Sequence, residues 1–142
     1  MKLYCTPEFR KEYEKLIKNK SYRGMGKEIV SIYFGKDIED CLHGTRLNGT
    51  SPNPFIKKRI QGSGGSRLYL ILVLKKDSAY LAFIQPKTGS AGADNITEDK
   101  QAELINTVYD CIKNNDLFEV TCCENKENLI FETPKKEVEV SV

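Results

Sequence analysis

Three short segments rich in β-branched and aromatic residues, Phe55 to Gln61, Arg67 to Lys75 and Tyr80 to Gln85, follow one another with only residues 62–66 and 76–79 between them, which hold the turns Gly62-Ser63-Gly64-Gly65 and Lys76-Asp77-Ser78. Connections this short make neighbouring strands run antiparallel, so the stretch reads as a three-stranded meander. Period-two alternation puts Phe55, Lys57 and Arg59 on one face of the first strand and Ile56, Lys58 and Ile60 on the other. The run from Leu68 to Leu74 is continuously apolar, which suits a buried strand and is far too short to cross a bilayer. Arg67 opens that strand, between a glycine turn and the buried run, where a cation is costly unless it has a partner.

Helical signals flank the meander. Thr6-Pro7 pairs a capping hydroxyl with a proline at the first helical position, and Phe9, Tyr13, Leu16 and Ile17 then form one apolar stripe that predicts a helix to about Asn19. After a turn from Lys20 to Gly26, Ile29, Ile32, Tyr33 and Phe34 give a second amphipathic helix, which resumes beyond Gly35 through Ile38 and Leu42. The segment from His43 to Pro54 reads as a loop. Downstream, Thr97 caps a third helix whose stripe is Leu104, Ile105, Val108, Cys111 and Ile112, ended by Asn114-Asn115. Leu117 to Cys122 and Asn128 to Glu132 read as two further strands. The expectation is an α+β fold: an N-terminal helical hairpin on a small twisted antiparallel sheet, with a third helix and one or two further strands. A single domain spans 1–133, and 134–142 form a flexible acidic tail.

Charge is informative through its distribution. The net charge is only +2, yet Lys57, Lys58, Arg59, Arg67, Lys75 and Lys76 gather with no acid between them, and Lys87 follows the third strand. Such a face suits a phosphate backbone, because each cation neutralises a phosphate and releases condensed counterions. The chain from Asp116 onward is predominantly acidic and does not join that surface. The odd count of five cysteines, with His43 as the sole histidine, lacks the spacing of a disulfide framework or a zinc site, so no metal and no small-molecule cofactor is expected. Gly62 to Gly65 precedes no helix and no Lys-Ser/Thr pair, which makes it a hairpin turn and not a phosphate loop. No apolar signal region precedes the first helix, so the expected location is the cytoplasm, with no membrane partner.

The order helix, helix, meander, helix, strand, together with Lys57-Lys58-Arg59-Ile60, Gly64-Gly65-Ser66-Arg67-Leu68-Tyr69, Lys87-Thr88-Gly89 and Asn95-Ile96-Thr97, resembles the RelE/HigB superfamily of toxins from bacterial toxin–antitoxin systems over roughly residues 9 to 113. The resemblance implies a ribosome-dependent, metal-independent endoribonuclease that cuts mRNA on the ribosome and is silenced by a cognate antitoxin protein. Related folds also poison DNA gyrase or serve as non-catalytic binding modules. By position, Lys57 and Arg59 resemble the basic residues of the family's first core strand, Arg67 the arginine holding the scissile phosphate, and Lys87 the cation that ends the third strand. The catalytic expectation is therefore Lys57, Arg59, Arg67 and Lys87, with Lys58, Lys75 and Lys76 as RNA-binding residues. Phe55 stands where some members carry a further lysine.

Overall fold

A computed structural model describes residues 1–60, 66–73, 76–86, 96–125 and 128–133. Within them the chain runs β1 (Lys2–Cys5), α1 (Pro7–Leu16), α2 (Met25–Tyr33), β2 (Thr45–Arg46), β3 (Phe55–Ile60), β4 (Ser66–Val73), β5 (Ser78–Pro86), α3 (Glu98–Asn114), β6 (Phe118–Cys122) and β7 (Leu129–Glu132). Single 3₁₀ turns at Lys20–Tyr22 and Ile38–Leu42 bracket α2. The seven strands form one sheet in the order β2-β3-β4-β5-β1-β6-β7.

The meander appears as expected, with β3 to β5 antiparallel throughout. The sheet around it corrects the expectation of a small antiparallel one. The N-terminus does not pass directly into a helix: Lys2–Cys5 pairs parallel with β5, from Lys2 opposite Ser78 to Cys5 opposite Leu81. That pairing makes the sheet mixed and lets β6 and β7 extend it beyond β1. A second short strand, β2, lies on the outer side of β3 within the segment read as a loop.

Alternation sorts the core into two layers. Leu3, Cys5, Ile56, Leu68, Leu70, Leu81 and Ile84 meet Phe9 and Tyr13 of α1 and Ile29, Val30 and Tyr33 of α2 on one side. Phe55, Tyr69, Ile71, Val73 and Tyr80 meet Leu104 and Val108 of α3 on the other. The first two helices thus cover one face and the third covers the opposite face.

Local chemistry sets the helix ends where the sequence indicates. Thr6 Oγ1 accepts from the Phe9 N–H at 3.1 Å, with Pro7 at the first helical position. Thr97 Oγ1 accepts from the Lys100 N–H at 3.1 Å, and Asn115 closes α3 in the left-handed conformation. Arg10 ties α1 to the outer strands: its guanidinium lies 4.7 Å from the Phe118 ring centroid and 5.3 Å from that of Phe131, while Glu14 accepts from its Nε at 2.6 Å.

The β2–β3 connection is built around Asn48. Its side-chain oxygen accepts from the Phe55 N–H at 2.9 Å and its amide donates to the Asn53 carbonyl at 2.7 Å, so one side chain bridges the turn twice, beside the backbone bond from the Leu47 N–H to the Phe55 carbonyl. Asn53 donates to the Tyr109 hydroxyl and Gln101 to the Leu47 carbonyl, which seats the loop on α3. Gly44 enters this hairpin at φ +136, and a β-carbon there would lie 2.6 Å from the Lys57 carbonyl oxygen. Gly44→Ala is expected to cost roughly 1–3 kcal/mol, read as a lower urea midpoint at unchanged slope.

Burial also gives the fold an alkaline limit. Desolvation pushes the Cys5 thiol up to about 12, against a partial lowering by Arg10, and pushes the Tyr13 hydroxyl up to about 12 as well. Both groups are neutral when buried and ionise more readily in the unfolded chain. Their contribution is complete below about pH 9, the unfolded thiol's range, and is lost as pH rises through the folded values. Stability measured by denaturant titration should fall progressively from pH 9 toward pH 12, and Cys5→Ala should flatten the early part of that decline.

Candidate nucleic-acid interface

The register of β3, β4 and β5 determines which side chains meet. Arg59 stands opposite Arg67, and Arg67 opposite Gln85, so these three share one rung. On the next rung Thr45, Lys57, Tyr69 and Phe83 lie in line across four strands. Both rungs face the α3 side, and directly opposed side chains have β-carbons about 4.5–5.5 Å apart. Three cations from two strands therefore gather at one end of one face.

Their exposure differs. Arg59 is exposed, whereas Lys57 and Arg67 retain only 7% and 6% of their accessible surface. Like charges placed directly opposite one another destabilise a strand pair, so the Arg59–Arg67 rung is poorly explained by sheet formation alone. The guanidinium group is a planar fork of donors whose geometry matches a carboxylate or a phosphate.

A register shift falls beside the site. Tyr69 pairs with Phe83 but Leu70 pairs with Leu81, which leaves Ala82 as an extra residue on β5. Bulges of this kind bend a strand and re-aim its side chains. Past the bulge, Phe83 packs against Tyr69 with ring centroids 6.0 Å apart, and Lys100 Nζ lies 5.0 Å from the Phe83 centroid. Phe55 continues the aromatic row, its ring 6.2 Å from that of Tyr69 and fully buried, so a lysine would not fit this position.

Among the described residues two buried polar atoms on these rungs have no hydrogen-bond partner at normal geometry: the Tyr69 hydroxyl and Gln85 Oε1. Native interiors leave few such groups, and each calls for a reason. Among the described residues the Tyr13 and Tyr33 hydroxyls likewise have no partner at normal geometry, but they lie in the α1/α2 layer away from the cations. Burial raises the pKa of Tyr69, and the nearby Arg67 charge and Ile96 backbone only partly counter it, so the hydroxyl stays protonated and a donor.

The remaining sequence-predicted residues separate. Lys58 points to the opposite face, beside Cys41, whose thiol its charge helps to lower against the upward push of burial. Lys76 is exposed at the other end of the meander; the rise from Arg67 to Val73 is already about 20 Å, and Lys76 lies beyond it. Neither joins the Lys57–Arg59–Arg67 group. Lys75 and Lys87 lie outside the described residues, as does the tail from 134. Among the described residues no cluster of three or more His, Cys, Asp or Glu side chains is placed to hold a metal ion, all five cysteines are free thiols, and no helix is long and apolar enough to cross a membrane. Tyr69 and Gln85 were not singled out by sequence as site residues. The only available signal was the parity they share with Arg67, read along β4 for Tyr69 and across the β4–β5 hairpin for Gln85.

Comparison with known proteins adds no relative: no family model, curated protein or solved structure matches the chain significantly.

Tyr69→Phe removes the orphaned hydroxyl and keeps the ring stack. It is expected to stabilise the protein by about 1 kcal/mol, since a buried unpaired polar group costs on the order of 1–3 kcal/mol, and calorimetric melting checks this.

Proposed function

We propose that this chain is a RelE/HigB-like toxin of a type II toxin–antitoxin system, a ribosome-dependent endonuclease that cuts mRNA and is neutralised by a cognate antitoxin. The observation that carries the reading is the pair of adjacent rungs on which Arg59 faces Arg67 and Lys57 stands one rung away, two of the three cations nearly buried. The α+β order of helices and meander strands agrees with it.

Cleavage of RNA without a metal needs a base for the 2′-hydroxyl, in-line attack on phosphorus and stabilisation of the charge that builds on the phosphate. Arginine stays charged in proteins, so among the three clustered cations Lys57 is the residue able to act as a neutral base. Arg67 clamps the scissile phosphate and Arg59 stabilises the transition state from across the rung. The 2′-oxygen forms its bond to phosphorus as the bond to the 5′-oxygen breaks, giving a 2′,3′-cyclic phosphate and a 5′-hydroxyl. Lys87, which follows β5, is assigned the proton delivered to that leaving oxygen.

Primer extension on messages from cells expressing the protein tests the reading. Wild type should produce breaks within translated regions, and Arg67→Ala should reduce them by ~10²–10³. Intact messages in wild-type cells, or equal cleavage by Arg67→Ala, would reject it.

A further inference from the structure

A second acid-free run of cations lies in a part of the chain that the proposed chemistry does not use. Lys15, Lys18, Lys20, Arg23 and Lys27 occur between Glu14 and Glu28 with no Asp or Glu among them, and all five are exposed. They surround the end of α1, the 3₁₀ turn and the start of α2.

Beside this basic run lies a cleft of about 360 Å³, walled by Glu12, Lys15 and Leu16 of α1, Asn19 after it, Tyr22 of the 3₁₀ turn, and Ile84 and Pro86 of β5, with Lys15 the member of the run on its lining. That volume falls in the range of small-ligand sites. Tyr22 is half-buried and offers a ring; Leu16, Ile84 and Pro86 supply apolar walls; Glu12 is the acidic group on the lining. Ile84 and Pro86 alternate with Gln85, which stands on the Arg59–Arg67 rung. The cleft and the cationic face are thus the two sides of one strand end.

We infer that this cleft seats one nucleobase of a single-stranded RNA, with the flanking phosphates on Lys15, Lys18, Lys20 and Arg23. An aromatic ring beside a positive rim is how sequence-tolerant proteins hold unpaired nucleotides, stacking the base and tracking the backbone. The Glu12 carboxylate accepts hydrogen bonds only and the Asn19 amide can donate as well as accept, a set that matches the amino group and adjacent ring nitrogen of cytosine better than the N3–H of uracil between its two carbonyls. The inference concerns binding and stands apart from the cleavage assigned to Arg67.

The test is fluorescence anisotropy of the intact chain with short oligo(C) and oligo(U) RNAs over a salt series, without ribosomes. Oligo(C) should bind more tightly than oligo(U), and Glu12→Gln should narrow that gap. The exposed double variant Lys15→Gln/Lys20→Gln should weaken both and lower the salt slope by roughly 0.7 per cation removed. Unchanged affinity and slope in the double variant would overturn the inference, as would displacement of the RNA by poly-glutamate at equal charge concentration, which would mark an acidic-protein site. The two readings separate cleanly. Loss of message cleavage in Arg67→Ala with unaltered oligonucleotide binding in the lysine variant rejects the cleft alone, and the reverse result rejects the nuclease alone.

Discussion

Burial of β4 on both faces is the constraint from which the rest of the architecture follows. Leu68 and Leu70 face α1 and α2 while Tyr69 and Ile71 face α3, and all four are fully enclosed. A strand covered on both sides must be flanked by strands that satisfy its backbone and by helices that complete its two cores. The meander supplies the first, and helices on opposite faces supply the second. Charge survives on such a strand near its end, where Arg67 sits between Arg59 and Gln85 on its own rung.

The parts of this arrangement legible from sequence are those set by local chemistry or by strong periodicity. Thr6-Pro7 and Thr97 mark helix starts because the capping bond spans three residues, and the meander is evident because its turns are short. β1 was not legible. Four residues carry too little alternation to identify a strand, and Lys2–Cys5 becomes one by pairing with residues more than seventy positions away. β2 escaped for a related reason: its order comes from Asn48 side-chain bonds and the contacts of Gln101 and Asn53.

The candidate site divides along the same line. Parity along β3 correctly paired Lys57 with Arg59 and separated both from Lys58, since alternation is a local property. Joining Arg67 to them needed the β3–β4 register, which the turn length alone does not specify. Lys76 shows the converse: it is near Arg67 in sequence count but at the opposite end of the hairpin. The orphaned Tyr69 hydroxyl and Gln85 oxygen depend on packing against α3 and on the Ala82 bulge, neither of which is written in a pattern of residue types.

The opposed arginines have a consequence for how the chain chooses its fold. Sliding β3 by a single residue against β4 would invert its facing, exchanging Lys58 for both Lys57 and Arg59 on the side of α1 and α2 and lifting Ile56 and Ile60 out of that layer. The misaligned pairing would bury one more positive side chain and two fewer isoleucines on that side, a costly exchange. The hydrophobic alternation that fixes the β3–β4 register is thus also what sets Lys57, Arg59 and Arg67 side by side.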